Sequence, residues 1–329
     1  MNNNNSSPIV ICGSGRSGTT WIMDVLAEAN NLRTIFEPLL PVAVPEAKPF
    51  ANHYVRTDSN EPELTRFMHT IFKGQIDNIW TKYRIRKDSL YIQPGGLLSL
   101  KNINLFYSRY KKFFRHYRKF GKINSGRLLI KFIRANLMIG WLAKNFGVKI
   151  LFVIRHPAAV ACSKLLINAK AQKIIWDYKG DLQRYIQNEN LKNDYLNKYD
   201  DILNNSLSVI SGYTVNWCIE NTIPIKAAKE YGVRVVFYEE LLANPETWWE
   251  NIVDFFNLEE KPNKEIIIKP SQEATQDMKN QKFGKSHIKK WTKYLSTEQK
   301  MEINSILEIF NVNFYNAFNP MPINKDFLN

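Results

Sequence analysis

Ile9-Val-Ile-Cys-Gly-Ser-Gly-Arg-Ser-Gly-Thr-Thr-Trp21 reads as a buried strand, a glycine-rich turn and the start of a helix. Gly13, Gly15 and Gly18 open backbone conformations closed to other residues, so successive N–H groups can converge on an anion at the helix N-terminus. Arg16, Ser17, Thr19 and Thr20 add side-chain donors around that point. The spacing Gly13-x-x-x-x-Gly18 is that of a phosphate-binding P-loop, yet Thr19-Thr20 follows where a nucleoside triphosphatase carries Lys and then Ser or Thr. The cation stands earlier, as Arg16, which suggests a phosphate cradle built for a different leaving group.

A second motif lies further along. The apolar strand Lys149-Ile-Leu-Phe-Val-Ile154 runs into Arg155-His-Pro-Ala-Ala-Val-Ala-Cys-Ser163. A triphosphatase would place a magnesium-binding Asp at such a strand end, and a cation there suits a phosphate instead.

Together these stretches resemble the sulfotransferases that use 3'-phosphoadenosine 5'-phosphosulfate (PAPS). That family's first loop reads Lys/Arg-Ser-Gly-Thr-Thr-Trp, and its 3'-phosphate motif is Arg-x-Pro followed by Ser eight residues after the Arg. The resemblance runs from about Ile9 to Leu295 and implies an α/β fold: three layers, P-loop-like, with a central parallel sheet flanked by helices, plus helical insertions. It implies cofactor contacts from Gly13, Ser14, Gly15, Arg16, Ser17, Gly18, Thr19, Thr20, Arg155 and Ser163. Phe283-Gly-Lys-Ser286 before Trp291 resembles the loop that covers the 3'-phosphate, with Lys285 on the family's Lys and Gly284 where its Arg stands. Tyr238-Glu-Glu-Leu-Leu-Ala-Asn-Pro245 matches another family segment, with Glu240 in place of the usual Asp.

The 329 residues carry a net charge of +14, which favours polyanionic partners without choosing among nucleic acid, acidic membrane, sulfated acceptor or charged nucleotide. Cys12, Cys162 and Cys218 are odd in number and lack Cys-x-x-Cys spacing, so neither a disulfide framework nor a zinc site is indicated. A reducing, cytoplasmic setting fits, and no apolar run reaches the ~18 residues of a membrane span.

In chain order, residues 1–8 read as a disordered leader and 9–320 as one sulfotransferase domain with insertions at about 39–127 and 174–211. A helix is expected from about Thr19 to Ala29, a strand over Thr34–Phe36 ending at Glu37-Pro38, and a long loop over 39–51. A helical pattern spans Pro62 to Trp80, and Gln93-Pro-Gly-Gly96 reads as a turn. Lys101 to Asn136 contains no Asp or Glu. Its aromatic residues at Phe106, Tyr110, Phe113, Tyr117 and Phe120 give a basic helix with one apolar stripe. Two readings stand for it: a stripe packed on the core, or an element that touches acceptor or anionic membrane. Strands follow at Arg127–Ile133, Lys149–Ile154 and Val233–Tyr238, with helices at about 136–145, 157–171, 211–231 and up to Phe256. The segment 174–205 reads as a mobile helical insertion.

Sulfuryl transfer needs in-line attack by a hydroxyl on sulfur, with cations and backbone N–H groups stabilising the departing nucleotide oxygen. The resemblance places Arg16 there, requires no metal, and leaves 3'-phosphoadenosine 5'-phosphate (PAP) as product. Cytosolic members carry their base as a Lys-Thr-His pattern, but the equivalent stretch, Lys131-Phe-Ile-Arg134, has no His. Carbohydrate-type members pair Arg in the first loop with Glu-Pro after the next strand, as in Arg16 and Glu37-Pro38. Glu37 is therefore the expected general base, Lys131 a supporting charge, and a hydroxyl of a carbohydrate or glycolipid the expected acceptor. His156, inside the nucleotide motif, is expected to play a structural role or to support a neighbouring site residue rather than act as the base. Outside this class, a non-catalytic polyanion- or nucleic-acid-binding protein stands as one alternative and a P-loop kinase as another; no nucleic-acid module is recognisable.

Overall fold

The computed structural model describes residues 7–76, 78–84, 107, 110, 111, 114, 126–271 and 284–324. Residues 1–6 of the leader, the turn at 93–96, most of the basic aromatic stretch and Phe283 lie outside the described residues.

Five short, apolar strands form one parallel sheet: β1 (Ile9–Gly13), β2 (Arg33–Phe36), β3 (Leu128–Phe132), β4 (Lys149–Ile154) and β5 (Arg234–Phe237), in the order β2-β3-β1-β4-β5. Ile11 pairs with Lys131 on one side and Leu151 on the other, which places β1 and its loop at the centre. Strands that are buried on both faces need apolar residues at successive positions, and these have them. Val10 and Cys12 face one core cluster, while Ile9 and Ile11 face the other. This is the three-layer α/β arrangement expected from the sequence.

Over the Ile9 face lie α1 (Thr19–Asn30) and α9 (Pro245–Phe256), where Trp21 meets Trp249 edge to face at 5.5 Å. Against the Val10 face pack α4 (Ile139–Phe146), α5 (Pro157–Ala171) and α7 (Val209–Tyr231). α10 (Thr297–Ile309) follows near the C-terminus.

Three sequence expectations change. The helical pattern from 62 to 80 splits into α2 (Pro62–Phe72) and α3 (Ile79–Tyr83). Gly74 takes a left-handed backbone after α2, and Asn78 starts α3 afresh with a capping box to Thr81. Tyr238 does not end β5 but opens α8 (Tyr238–Ala243). The segment from 174, expected to be a mobile helical insertion, is helical and packs into the core: α6 (Tyr178–Gln187) buries Tyr185, and Leu191 and Leu196 beyond it are buried as well. Among the described residues no helix is long and apolar enough to cross a membrane.

Candidate active site

Parallel sheets present their ligand crevice at the carboxyl ends of the strands. Here the loop after β1 and the residues that follow β2, β3, β4 and β5 all face one cleft, lined among others by Arg16, Glu37, Lys131, Arg134, Arg155 and Trp176.

The first loop is shaped by its backbone. Gly18 has φ +94° and meets the ring of Tyr238, so an added Cβ would lie 2.4 Å from that ring. Arg16, with φ +77°, holds a left-handed conformation that a long side chain rarely adopts. At Gly15 a Cβ would lie 2.3 Å from Trp176, so the indole packs directly on the loop. α1 begins at Thr19 with no side-chain cap on its first amides, and the buried Ser17 hydroxyl has no hydrogen-bond partner among the described residues. Uncapped amides beside an unsatisfied hydroxyl suit an anion at the helix N-terminus.

The second motif meets the first. Ser163, in the second turn of α5, accepts a hydrogen bond from Arg16 Nε at 3.0 Å. Arg155 donates from a terminal guanidinium nitrogen to the Arg16 carbonyl at 2.9 Å and lies 4.6 Å from the Tyr238 ring centre. Its Nε is buried without a hydrogen-bond partner among the described residues. A guanidinium with a spare buried donor suits a phosphate oxygen. His156 is fully buried and caps α5: its Nδ1 accepts from the Ala158 amide, so Nε2 carries the proton donated to the Asn316 and Asn319 carbonyls. Burial pushes its pKa down to about 4. His156 is therefore structural, as the sequence indicated.

Across the cleft stands a charged cluster. Glu37 follows β2 with φ +48° and is buried. Its Oε1 accepts from the Lys131 ammonium, and its Oε2 lies 3.6 Å from the Arg134 guanidinium. Burial pushes the Lys131 pKa down, opposed by Glu37, with Arg84 and Arg134 adding to the depression. The Lys131 ammonium also sits 4.5 Å from the Phe36 ring centre. Trp80 secures the corner by donating from Nε1 to the Glu37 carbonyl at 3.1 Å.

Two residues of the sequence reading take other positions. Ser14 is fully buried, and its hydroxyl oxygen accepts from Asn136 and Asn221 below the loop rather than facing the cleft. Lys285 is exposed in a short 3-10 turn, lining a separate cavity with Leu241, Trp249 and Pro262. From the same segment it is His287 that feels Arg155: its pKa is lowered by burial, then by Lys290 and Arg155.

Sequence reasoning passed over Arg134 and Trp176. Arg134 had a usable signal, being a cation two residues past a strand end. Trp176 had none, because its position depends on Asn168 and Tyr213. Asn168 Oδ1 accepts the Trp176 amide at 2.9 Å, and the Tyr213 hydroxyl donates to its carbonyl at 2.7 Å.

A model of the sulfotransferase family matches residues 8–262. An uncharacterized protein of Archaeoglobus fulgidus is 22% identical over 290 residues, covering 79% of this chain and 87% of its own. The sulfotransferase domain of the Synechococcus PCC 7002 olefin synthase is 16% identical with a TM-score of 0.47, covering 96% of this chain and 98% of that one. A retinol dehydratase solved with androsterone and inactive cofactor PAP is 14% identical with a TM-score of 0.42, covering 94% and 82%. The family model takes in the glycine-rich loop, the Arg155–Ser163 motif and all five strands of the sheet, and the chain belongs to the sulfotransferase family.

Proposed function

We propose that this sulfotransferase moves a sulfuryl group from PAPS to an acceptor hydroxyl, with Glu37 as general base. The observation that carries the reading is the convergence on one cleft of Arg16, Ser163 and Arg155 with the Glu37–Lys131–Arg134 cluster. When bound, PAPS supplies the activated sulfuryl group. The residues Gly13, Ser14, Gly15, Ser17, Gly18, Thr19 and Thr20 form the cradle for its 5' end, with Ser14 acting through the backbone.

Arg16 stabilises charge on the departing oxygen, and Arg155 and Ser163 hold the 3'-phosphate. Glu37 takes the acceptor proton while Lys131 and Arg134 hold its carboxylate in place. No metal enters this scheme. Arg16 paired with Glu37-Pro38 favours a carbohydrate or glycolipid acceptor. The basic stretch around Lys112 and Arg115 is the proposed contact with the acceptor or with an anionic membrane surface, and three cysteines without a disulfide or zinc pattern fit a cytoplasmic setting.

Calorimetry with PAP in the absence of magnesium tests the reading. Micromolar or tighter binding is expected. Failure to bind PAP, with magnesium-dependent binding of ATP instead, would overturn it in favour of a kinase. A selective loss of PAP affinity in Lys285→Ala would bring that exposed lysine over the nucleotide.

A further inference from the structure

One turn of α7 supports both anion motifs from below. Trp217 donates from Nε1 to the Arg155 carbonyl at 2.9 Å. Four residues on, Asn221 donates from Nδ2 to Ser14 Oγ at 2.9 Å and to the Trp217 carbonyl at 2.7 Å. Both side chains are fully buried. Four helical residues rise about 6 Å, so the backbone positions from which Trp217 and Asn221 project are held that far apart along one rigid helix.

A proline completes the arrangement. Pro224 has no N–H, so the Glu220 carbonyl loses its helical partner. Asn136 replaces it, donating from Nδ2 to that carbonyl at 3.2 Å and to Ser14 Oγ at 3.4 Å. The Cys12 thiol donates to Asn136 Oδ1 at 3.2 Å, which ties the network to the end of β1. Asn221 leaves its own Oδ1 buried without a hydrogen-bond partner among the described residues. An apolar side chain would avoid that cost at a position with only a packing role.

We infer that Trp217 and Asn221 are positioning residues that set the spacing between the first loop and Arg155, and thereby select nucleotides carrying both a 5' and a 3' phosphate. The inference rests on the PAP reading above. A ligand with one phosphate engages one motif and is indifferent to their separation; a ligand with two gains its affinity only when both are in register.

The test measures binding of PAP, AMP and 3'-AMP to the full chain and to Asn221→Ala, Trp217→Phe and their double variant, with melting temperatures alongside. PAP affinity is expected to fall at least tenfold in each single variant while AMP and 3'-AMP change less than threefold. The double variant should lose little more than the worse single one, since either change releases the same spacing. Equal losses for all three nucleotides, or unchanged PAP affinity in both single variants, would overturn the inference and leave a packing role. If Asn221→Ala does not fold, Asn221→Ser, which keeps a buried donor of shorter reach, is held to the same criteria. A wild-type chain that binds no PAP overturns the underlying reading, and this inference with it.

Discussion

Arg16 Nε donates to Ser163 Oγ at 3.0 Å, joining the first loop to the second motif's helix across 147 residues of sequence. Arg155 returns the link through the Arg16 carbonyl, so the two motifs are in contact before any ligand is considered. An anion held between them would meet a prepared set of donors, which lowers the ordering cost of binding.

Replacing Arg155 by Ala should therefore weaken PAP binding about 10- to 100-fold, the loss of a charge-assisted hydrogen bond of about 1.5–3 kcal/mol. A nucleotide without the 3'-phosphate should change little. Ser163→Ala should show the same selectivity more mildly. Calorimetry that finds equal losses for both nucleotides would remove Arg155 from the 3'-phosphate site.

Glu37→Gln should lower turnover by about 10²- to 10⁴-fold, the usual contribution of a positioned general base, with PAP affinity near wild type. The buried contact to Lys131 adds a second consequence. Neutralising one partner of a buried ion pair costs up to about 3–5 kcal/mol, so the melting temperature should fall as well. Turnover close to wild type in a folded Glu37→Gln variant would exclude Glu37 as the base.

Trp176 and Gly15 should behave as one unit. Gly15→Ala drives a Cβ into an indole whose backbone is held by Asn168 and Tyr213, so nucleotide affinity should drop at least tenfold. Trp176→Ala in the same chain should recover part of that loss, because it removes the atoms in conflict. A strictly additive double variant would show that the loop reads Gly15 through something other than Trp176.

Acid should destabilise the fold through His156. Its pKa is 6.5 in the unfolded chain and about 4 in the fold, so between those values the unfolded state binds more protons and stability falls as pH falls. The contribution is complete above pH 6.5 and lost by about pH 4, amounting to about 3 kcal/mol. Glu239, which accepts from the His156 amide and the Tyr315 hydroxyl, has its pKa raised by burial and acts in the opposite sense in the lower part of that range. Denaturant melts of His156→Gln against wild type from pH 7 to pH 4 should show a flatter slope for the variant. Parallel slopes would place the acid sensitivity elsewhere.

The first loop and the apolar strands were legible in the chain because each depends on neighbours a few residues away. A strand needs its apolar run, a tight turn its glycines, a helix its 3.6-residue period. The break between α2 and α3 was visible only afterwards, since Gly74 and Asn78 carry ordinary turn chemistry inside a pattern that otherwise continues.

What the sequence determined by itself is the set of local shapes and the residue types placed at the strand ends: the α/β class, a glycine-rich turn at Gly13–Thr20, cations at Arg16 and Arg155, a carboxylate at Glu37. Only the tertiary structure decided which of these meet. The order β2-β3-β1-β4-β5 brings Glu37 against Lys131 from 94 residues away, seats Trp176 on Gly15, turns Ser14 inward to Asn221, and leaves Lys285 outside the cleft. Such contacts arise from packing layers on a twisted sheet. The free energy that selects them is spread over buried surface drawn from the whole chain, and no short window of sequence contains it.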